Sequence, residues 1–99
     1  MMVDRINTMC ADRLKILAEA NRINILRTLM QGPRQVGSIA TFLGIEQSLL
    51  SHHLRVLRDA GFVDATRSGK RVVYTVSKHI LSSQKRDTIE LGCCRISFD

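Results

Sequence analysis

The sequence predicts a mostly helical domain with one small β-hairpin. Apolar residues recur at helical steps from the N-terminus to Gly61, whereas strand-like alternation follows Gly61 and is interrupted by a Ser-Gly turn. The chain has 99 residues, of which 44% are apolar and only one is Pro. This length and composition predict a single folded domain over residues 1–99 with a mainly aliphatic core.

Two helices open the chain. Ile6, Cys10, Leu14 and Leu17 recur at steps of three and four, which predicts an amphipathic first helix over about residues 3–18. A second apolar pattern predicts a helix over about residues 21–30. The stretch "QGP" ends it, because Gly supplies a left-handed cap and Pro cannot continue a helix.

Two shorter helices follow within residues 36–61. The stretch "VGSIATFLG" predicts a helix that Gly44 closes, and the next helix begins near Gln47, with Glu46 or Ser48 near its start, and is capped by Gly61. In that helix Leu50, Leu54 and Leu57 share one face, so the opposite face is polar. Two short helices joined by a tight turn predict a helix-turn-helix.

Residues 62–76 have the pattern of a β-hairpin with a basic tip. "FVDATRSGKRVVYTV" alternates apolar and polar residues on both sides of "RSGKR". A helix-turn-helix followed directly by such a hairpin predicts a winged helix. The tail, residues 77–99, is open to two interpretations: "KHILSSQKRD" allows a helical turn or two, and "TIELGCCRISF" favours a strand with a bulge at Gly92.

The positive charge is concentrated in the helix-turn-helix and hairpin. The chain has a formal charge of +6, and between Gln47 and Arg71 it carries five cations against two carboxylates. Such a surface suits a polyanion, with nucleic acid first and an anionic membrane second, although a merely solvated surface is the third interpretation. No apolar run approaches the ~20 residues of a membrane span. Asp4 and Arg5 also stand where a signal peptide needs an apolar block, so we expect a cytoplasmic protein with no membrane partner.

Polar and cationic side chains in this region are the candidate DNA contacts. Short polar side chains on the outer face of the fourth helix can reach base edges, and cations at the hairpin tip can reach phosphates or the minor groove. The candidate DNA-binding residues are Gln47, Ser48, Ser51, His52, Arg55, Arg67, Lys70 and Arg71. Adjacent helical residues point about 100° apart, so His53 is interpreted as a structural residue and not as a metal ligand with His52.

Three stretches together resemble the ArsR/SmtB family of bacterial winged-helix repressors. They are "LAEANRINILRTL", "QSLLSHHLRVLRDAGFV" and "RSGKRVVYTV", and the resemblance runs from about Leu14 to Val76. It implies a homodimeric repressor that binds double-stranded operator DNA through the helix-turn-helix. It also implies release of the DNA when an effector binds, usually a thiophilic or transition metal ion and sometimes an oxidant or reactive sulfur.

The effector patterns best known in that family are absent from this chain. No "C-V-C" precedes the recognition helix, and the region of the zinc-sensor pattern contains His79 alone. Cys93 and Cys94 remain as adjacent soft ligands beside Arg95, whose charge is expected to lower the pKa of a thiol. The family's dimer is built from its first and last elements, so residues 1–18 and 77–99 are expected to serve dimerisation and sensing. A three-sulfur site is expected from Cys93, Cys94 and Cys10 of the partner subunit, although Cys10 is equally typical of a small buried core residue.

Several functions stay open at this level. The expected effector is As(III), Sb(III) or a soft divalent metal, whereas oxidation or persulfidation of the same thiols is the alternative. A winged helix that binds protein or RNA is the alternative of another class. An enzyme is not expected, because no nucleophile, base and acid arrangement and no Gly-rich phosphate loop is present in the sequence.

Overall fold

The computed structural model describes residues 2–81 and 87–98, with the side chains of residues 2–4 and 6 excluded. Within these residues the helices are α1 (Met2–Leu17), α2 (Ala20–Met30), α3 (Val36–Leu43) and α4 (Gln47–Asp59). The strands are β1 (Arg34–Gln35), β2 (Val63–Ser68), β3 (Arg71–Val76), β4 (Thr88–Glu90) and β5 (Arg95–Ser97). The helix bounds agree with the predicted ones to within a residue or two.

Helix α2 lies at the centre of the fold and has a defined N-terminal cap. The Glu19 carboxylate accepts a hydrogen bond from the Arg22 backbone N–H at 2.9 Å, which satisfies one of the free amides of the first turn. Ile25, Leu26 and Leu29 of this helix are buried. Because one face of α2 is in the core, α1 and the helix-turn-helix can pack on it from different sides.

The predicted helix-turn-helix is present as α3 and α4. Gly44 ends α3 at φ +64°, in the left-handed region that a side chain would disfavour. Leu50, Leu54 and Leu57 of α4 are fully buried, as the spacing of the apolar residues predicted. Helix α4 ends at Asp59 with Ala60 as its cap, so the predicted cap glycine, Gly61, lies one residue beyond it.

The predicted hairpin is the wing of a three-stranded antiparallel sheet. Strands β2 and β3 pair from Val63 opposite Val76 to Ser68 opposite Arg71. Strand β1, which the sequence did not predict, pairs with the other edge of β3, so the order is β1-β3-β2. The winged helix-turn-helix fold is therefore confirmed.

The tail differs from its prediction. Residues 88–97 form a two-stranded hairpin, β4–β5, with Ile89 opposite Ile96, and not one strand with a bulge. Gly92 has φ +88° and reverses the chain at the point where a bulge was expected. Alternation of apolar residues cannot distinguish a bulge from a turn when a single Gly is the only signal. The helical turn considered for residues 78–87 falls partly on residues 82–86, which lie outside the described residues.

The core is aliphatic with one aromatic ring. It joins α1, α2, α3, α4, the base of the wing and the tail hairpin around the fully buried Phe62. The buried apolar residues are Leu17, Ile25, Leu26, Leu29, Ile39, Leu50, Leu54, Leu57, Phe62, Val63, Val76, Ile80, Ile89 and Leu91. None of the described helices combines the length and the apolar character that a transmembrane span requires.

Candidate functional site

The outer face of α4 carries five of the predicted DNA contacts, and all are exposed. Ser48, Ser51, His52 and Arg55 lie opposite the buried leucines of the same helix, and Gln47 is exposed at its N-terminus. Short side chains at the first two turns allow the helix to approach a groove closely, and Arg55 extends the face by one turn. The structure thus presents one continuous polar surface along α4, as expected from the spacing.

One carboxylate stands at the edge of this surface. Glu46 precedes α4, and its Oε1 accepts a hydrogen bond from the Ser48 hydroxyl at 2.6 Å. Glu46 is the N-cap residue of α4, but its side chain makes no hydrogen bond to the helix amides. While the Ser48 hydroxyl donates to Glu46, its oxygen can still accept a hydrogen bond from another group. The sequence showed both residues near the helix start, but their pairing depends on the extended backbone at Glu46.

The wing tip carries the other three predicted contacts. Arg67, Lys70 and Arg71 are exposed on or beside the two-residue loop that joins β2 to β3. Gly69 begins this loop at φ +63° and lets the strands reverse tightly. A long hairpin with cations at its tip can reach the phosphates beside the groove that α4 would occupy.

His53 is buried on the inner side of α4, in agreement with its structural interpretation. Its Nδ1 accepts a hydrogen bond from Arg22 Nε at 3.1 Å, and its Nε2 lies 3.9 Å from Glu19 Oε2. Burial lowers the pKa of His53 below its usual 6.5; the Glu19 carboxylate opposes this shift, and Arg22 and His52 add to it. A neutral ring with its proton on Nε2 satisfies both contacts. Arg22 also donates to the Ile16 carbonyl at 3.2 Å, so the network ties α1, α2 and α4 together.

The three cysteines lie together in the folded chain. Cys10 of α1 is joined to Cys93 of the β4–β5 turn by a disulfide bond, with the two Cα atoms 6.0 Å apart. The Cys94 Sγ is 3.9 Å from both bonded sulfurs. All three sulfurs lie within 4.8 Å of one another, and in the described part of the chain they are the group of side chains that could hold a metal ion.

Two expectations about this cluster change. Cys10 was expected from the partner subunit, but the structure brings the Cys10 of the same chain to Cys93 and Cys94. The turn at Gly92 folds the tail back onto α1, and sequence spacing alone could not show this. Arg95, expected beside the thiols, pairs with Glu90 across the tail hairpin.

Arg13 is a site residue that sequence reasoning missed. It lies one helical turn after Cys10 and lines, with Met9, Cys10, Leu91, Gly92 and Cys93, a surface cavity of about 300 Å³. Its Nη1 donates to the Leu91 carbonyl at 2.8 Å, and its guanidinium carbon lies 5.6 Å from the centre of the Phe62 ring. The three-residue spacing from Cys10 was the only signal in the sequence, because the partners Leu91 and Phe62 reach Arg13 only in the folded chain.

Known proteins with the same architecture identify the family. The sequence profile of the family described as bacterial regulatory protein, arsR family, matches residues 19–65. The crystal structure of the transcriptional repressor BigR from Xylella fastidiosa superposes with a TM-score of 0.70 at 35% identity, over 78% of this chain and 75% of that one. The chain belongs to the ArsR family of bacterial regulatory proteins.

Two further ArsR-family comparisons bear on assembly and length. The solution structure of the homodimeric winged helix-turn-helix DNA-binding domain of Mb0332 from Mycobacterium bovis superposes with a TM-score of 0.68 at 35% identity, over 75% of this chain and 68% of that one. The transcriptional regulator NmtR of Mycobacterium tuberculosis is 44% identical over 66 residues, which are 67% of this chain. The match spans 55% of NmtR, so the chain covers little more than half of that relative's length.

Proposed function

We propose that this ArsR-family protein is a DNA-binding transcriptional repressor that binds operator DNA as a homodimer. The observation that carries the proposal is the exposed polar face of α4 beside a basic wing, on a fold shared with DNA-binding regulators. In this role α4 enters the major groove and the wing contacts the flanking backbone. The DNA-binding region comprises the helix-turn-helix, residues 36–61, and the wing, residues 62–76. Dimerisation and sensing are assigned to residues 1–18 and 77–99.

Direct base contacts are assigned to the start of α4. Ser51 and His52 carry hydrogen-bonding groups at the centre of the exposed face, with Gln47 and Ser48 nearer the N-terminus. Arg55, Arg67, Lys70 and Arg71 are assigned to the DNA backbone or minor groove, because long cationic side chains reach phosphates without fixed geometry. Binding should accordingly weaken as salt rises.

The cysteine cluster is assigned to effector control. Once Cys10 and Cys93 are reduced, three sulfurs of one chain can surround one thiophilic centre such as As(III), Sb(III) or a soft divalent ion. Thiolates about 2.3 Å from a shared tetrahedral ion stand about 3.8 Å apart, and Cys94 already lies at 3.9 Å from each of the other two. The three sulfurs therefore fit such an ion. Its binding would lower the affinity for DNA, as effector binding does in the ArsR family.

Redox sensing through the same thiols is the second candidate, and the disulfide itself favours it. The bond between Cys10 and Cys93 links α1 to the tail, so an oxidant that forms it changes the contact between these elements. Cys94 lies equally far from both bonded sulfurs, beside the bond and not on its extension. This position suits three sulfurs that bind one ion better than it suits attack of the Cys94 thiolate on the disulfide, which proceeds along the axis of the S–S bond.

One titration tests both levels of the proposal. The reduced protein is used to select duplexes from a random DNA pool, and its affinity for the selected duplex is then measured against salt, arsenite, cadmium and peroxide. We expect salt-sensitive binding that one class of effector weakens by roughly 5- to 150-fold. Enrichment of no duplex sequence would contradict the repressor assignment. Release that persists in a Cys93→Ser, Cys94→Ser double variant would contradict the effector assignment alone.

A further inference from the structure

Arg13 contacts both the cysteine turn and Phe62, the residue that follows the end of α4 and Gly61. Its Nη1 donates to the Leu91 carbonyl at 2.8 Å, and the Leu91 N–H donates to the Cys94 carbonyl at 2.9 Å. Leu91 is thus the first residue of the turn that holds Cys93 and Cys94, and its N–H makes the hydrogen bond that closes this turn. Arg13 is anchored on the same helix as Cys10 and contacts this turn one helical step away from the disulfide.

The second contact of Arg13 leads to α4. Its guanidinium lies over the ring of Phe62, which is fully buried. The Phe62 N–H donates to the Leu57 carbonyl of α4 at 2.9 Å, and the Phe62 carbonyl accepts from the Ser77 N–H at the base of the wing at 3.0 Å. A shift of this ring therefore bears on the end of α4 and on the base of the wing together.

We propose that Arg13 is a positioning residue that transmits the state of the cysteine cluster, whether disulfide-bonded, reduced or ion-bound, to the DNA-binding region. The inference rests on the proposed function and adds its route. Opening the Cys10–Cys93 bond, or drawing three thiolates around an ion, changes the distance between α1 and the turn. The Arg13 guanidinium donates one hydrogen bond to the turn and stacks with its face on Phe62. If the turn moves and Arg13 moves with it, the contact with Phe62 changes.

The C-terminal end of α1 is also linked to α4, and this link confines a movement caused at Cys10 to the part of α1 near Arg13. Arg22 bridges the Ile16 carbonyl at the end of α1 and His53 on the buried face of α4. Because the C-terminal part of α1 is held to α4 there, a change at Cys10 is taken up near Arg13. The Arg22 contact should therefore remain in both states, while the Arg13 contacts differ.

The test compares disulfide-bonded and reduced full-length chains of the wild type, Arg13→Met and Arg13→Lys. Dithiothreitol reduces the bond, supplying two electrons and two protons to Cys10 and Cys93 and becoming a cyclic disulfide. Two quantities are measured in each state: hydrogen exchange of the Phe62 amide, and affinity for a duplex selected from a random pool. Arg5→Met is the matched control, because Arg5 is an exposed arginine of the same helix.

We expect reduction to change both the hydrogen exchange of the Phe62 amide and the DNA affinity of the wild type. In Arg13→Met, reduction should change each quantity by at most about one fifth as much, a loss of coupling within the ordinary allosteric range. Thiol counts should show complete disulfide formation in every variant. Arg13→Lys, which keeps the charge but not the fork of donors, should fall between the two and also serves if Arg13→Met does not fold. A wild-type response in both Arg13 variants, or no response of the Phe62 amide to reduction in the wild type, overturns the inference. Loss of sequence-selective DNA binding in all states would instead overturn the proposed function, while hydrogen exchange would still decide on Arg13.

Discussion

His53 links the protonation of one buried ring to the stability of the fold. Its Nδ1 accepts from Arg22 and therefore must be unprotonated, which agrees with the lowered pKa that burial gives the ring. Protonation would replace an accepted hydrogen bond by two facing donors in the core. Its neighbour His52 is exposed on the other side of the helix.

The free energy of unfolding should consequently fall on acidification below about pH 6.5. The unfolded chain binds a proton at the ordinary pKa of 6.5, whereas the folded chain binds it only at a lower pH. The stability is thus complete above pH 6.5 and is lost as pH falls toward the folded pKa, with a slope of at most about 1.4 kcal/mol per pH unit. Urea unfolding at several pH values checks this. His53→Gln should remove the component and His52→Gln should keep it; equal slopes in all three proteins would contradict the assignment.

The division of labour between α4 and the wing is also testable with single side chains. Ser51→Ala or His52→Ala should weaken binding to a selected duplex by about 1–3 kcal/mol each and binding to random duplex much less. Lys70→Ala or Arg71→Ala should weaken both and reduce the salt slope by about one unit. Fluorescence anisotropy at several salt concentrations measures both quantities. Equal losses on both duplexes for all four variants would show that the assignment of bases to α4 and backbone to the wing is wrong.

At the scale of elements, the tail hairpin and strand β1 distinguish this structure from its predicted form. Ile89 and Leu91 are buried, and Phe98 packs beside them against the core. The Phe98 ring also lies under the Arg27 guanidinium of α2 at 5.4 Å. The hairpin is therefore part of the folded core, and the disulfide adds a covalent link from its turn to α1.

Breaking that link should destabilise the protein measurably. Cys10 and Cys93 are 83 residues apart, so their bond restricts nearly the whole unfolded chain. Disulfides typically contribute about 2–4 kcal/mol, with larger values expected for longer loops. We expect reduction, or Cys10→Ser, to lower the free energy of unfolding by that amount, measured by urea unfolding. Cys94→Ser leaves the bond in place and should have a far smaller effect; an equal loss in both variants would argue against a stabilising bond.

At the scale of the whole molecule, α1 carries exposed apolar side chains, and one of them borders a groove against the tail. Met9 is 61% exposed and Leu14 is 40% exposed. Leu14 also borders a shallow apolar groove of about 170 Å³, lined further by Leu17, Ala18, Ile23, Ile96 and Phe98. Exposed apolar side chains beside an apolar groove are typical of a subunit interface. The side chain of Ile6, also named in the predicted stripe, lies outside the described residues.

We expect the chain to be a dimer through this surface. Leu14→Glu should shift the protein toward monomer at micromolar concentration, because a charge would be buried between apolar partners. Sedimentation equilibrium measures the mass. Leu49→Glu is the matched control, since Leu49 is 43% exposed on α4, outside the segments assigned to dimerisation. A wild-type monomer would contradict the prediction, and a dimer would place two recognition helices about 34 Å apart on one face of DNA.

The local elements of this protein follow from its sequence. Apolar spacing in α4, the glycines after α3 and α4, and alternation around Gly69 each act over a few residues, so four helices and a basic wing were predictable. The exposure of Ser51, His52 and Lys70 was predictable for the same reason, since they lie opposite a buried face or at a turn.

Only the tertiary structure decided what lies across the chain. The pairing of β1 with β3, the tail hairpin, the approach of Cys10 to Cys93 and Cys94, and the two contacts of Arg13 all join residues far apart in sequence. Such contacts depend on which buried faces meet, and many arrangements satisfy the same local pattern. A single backbone reversal at Gly92 places the cysteine turn on α1, and periodicity cannot determine the direction in which a chain leaves a glycine.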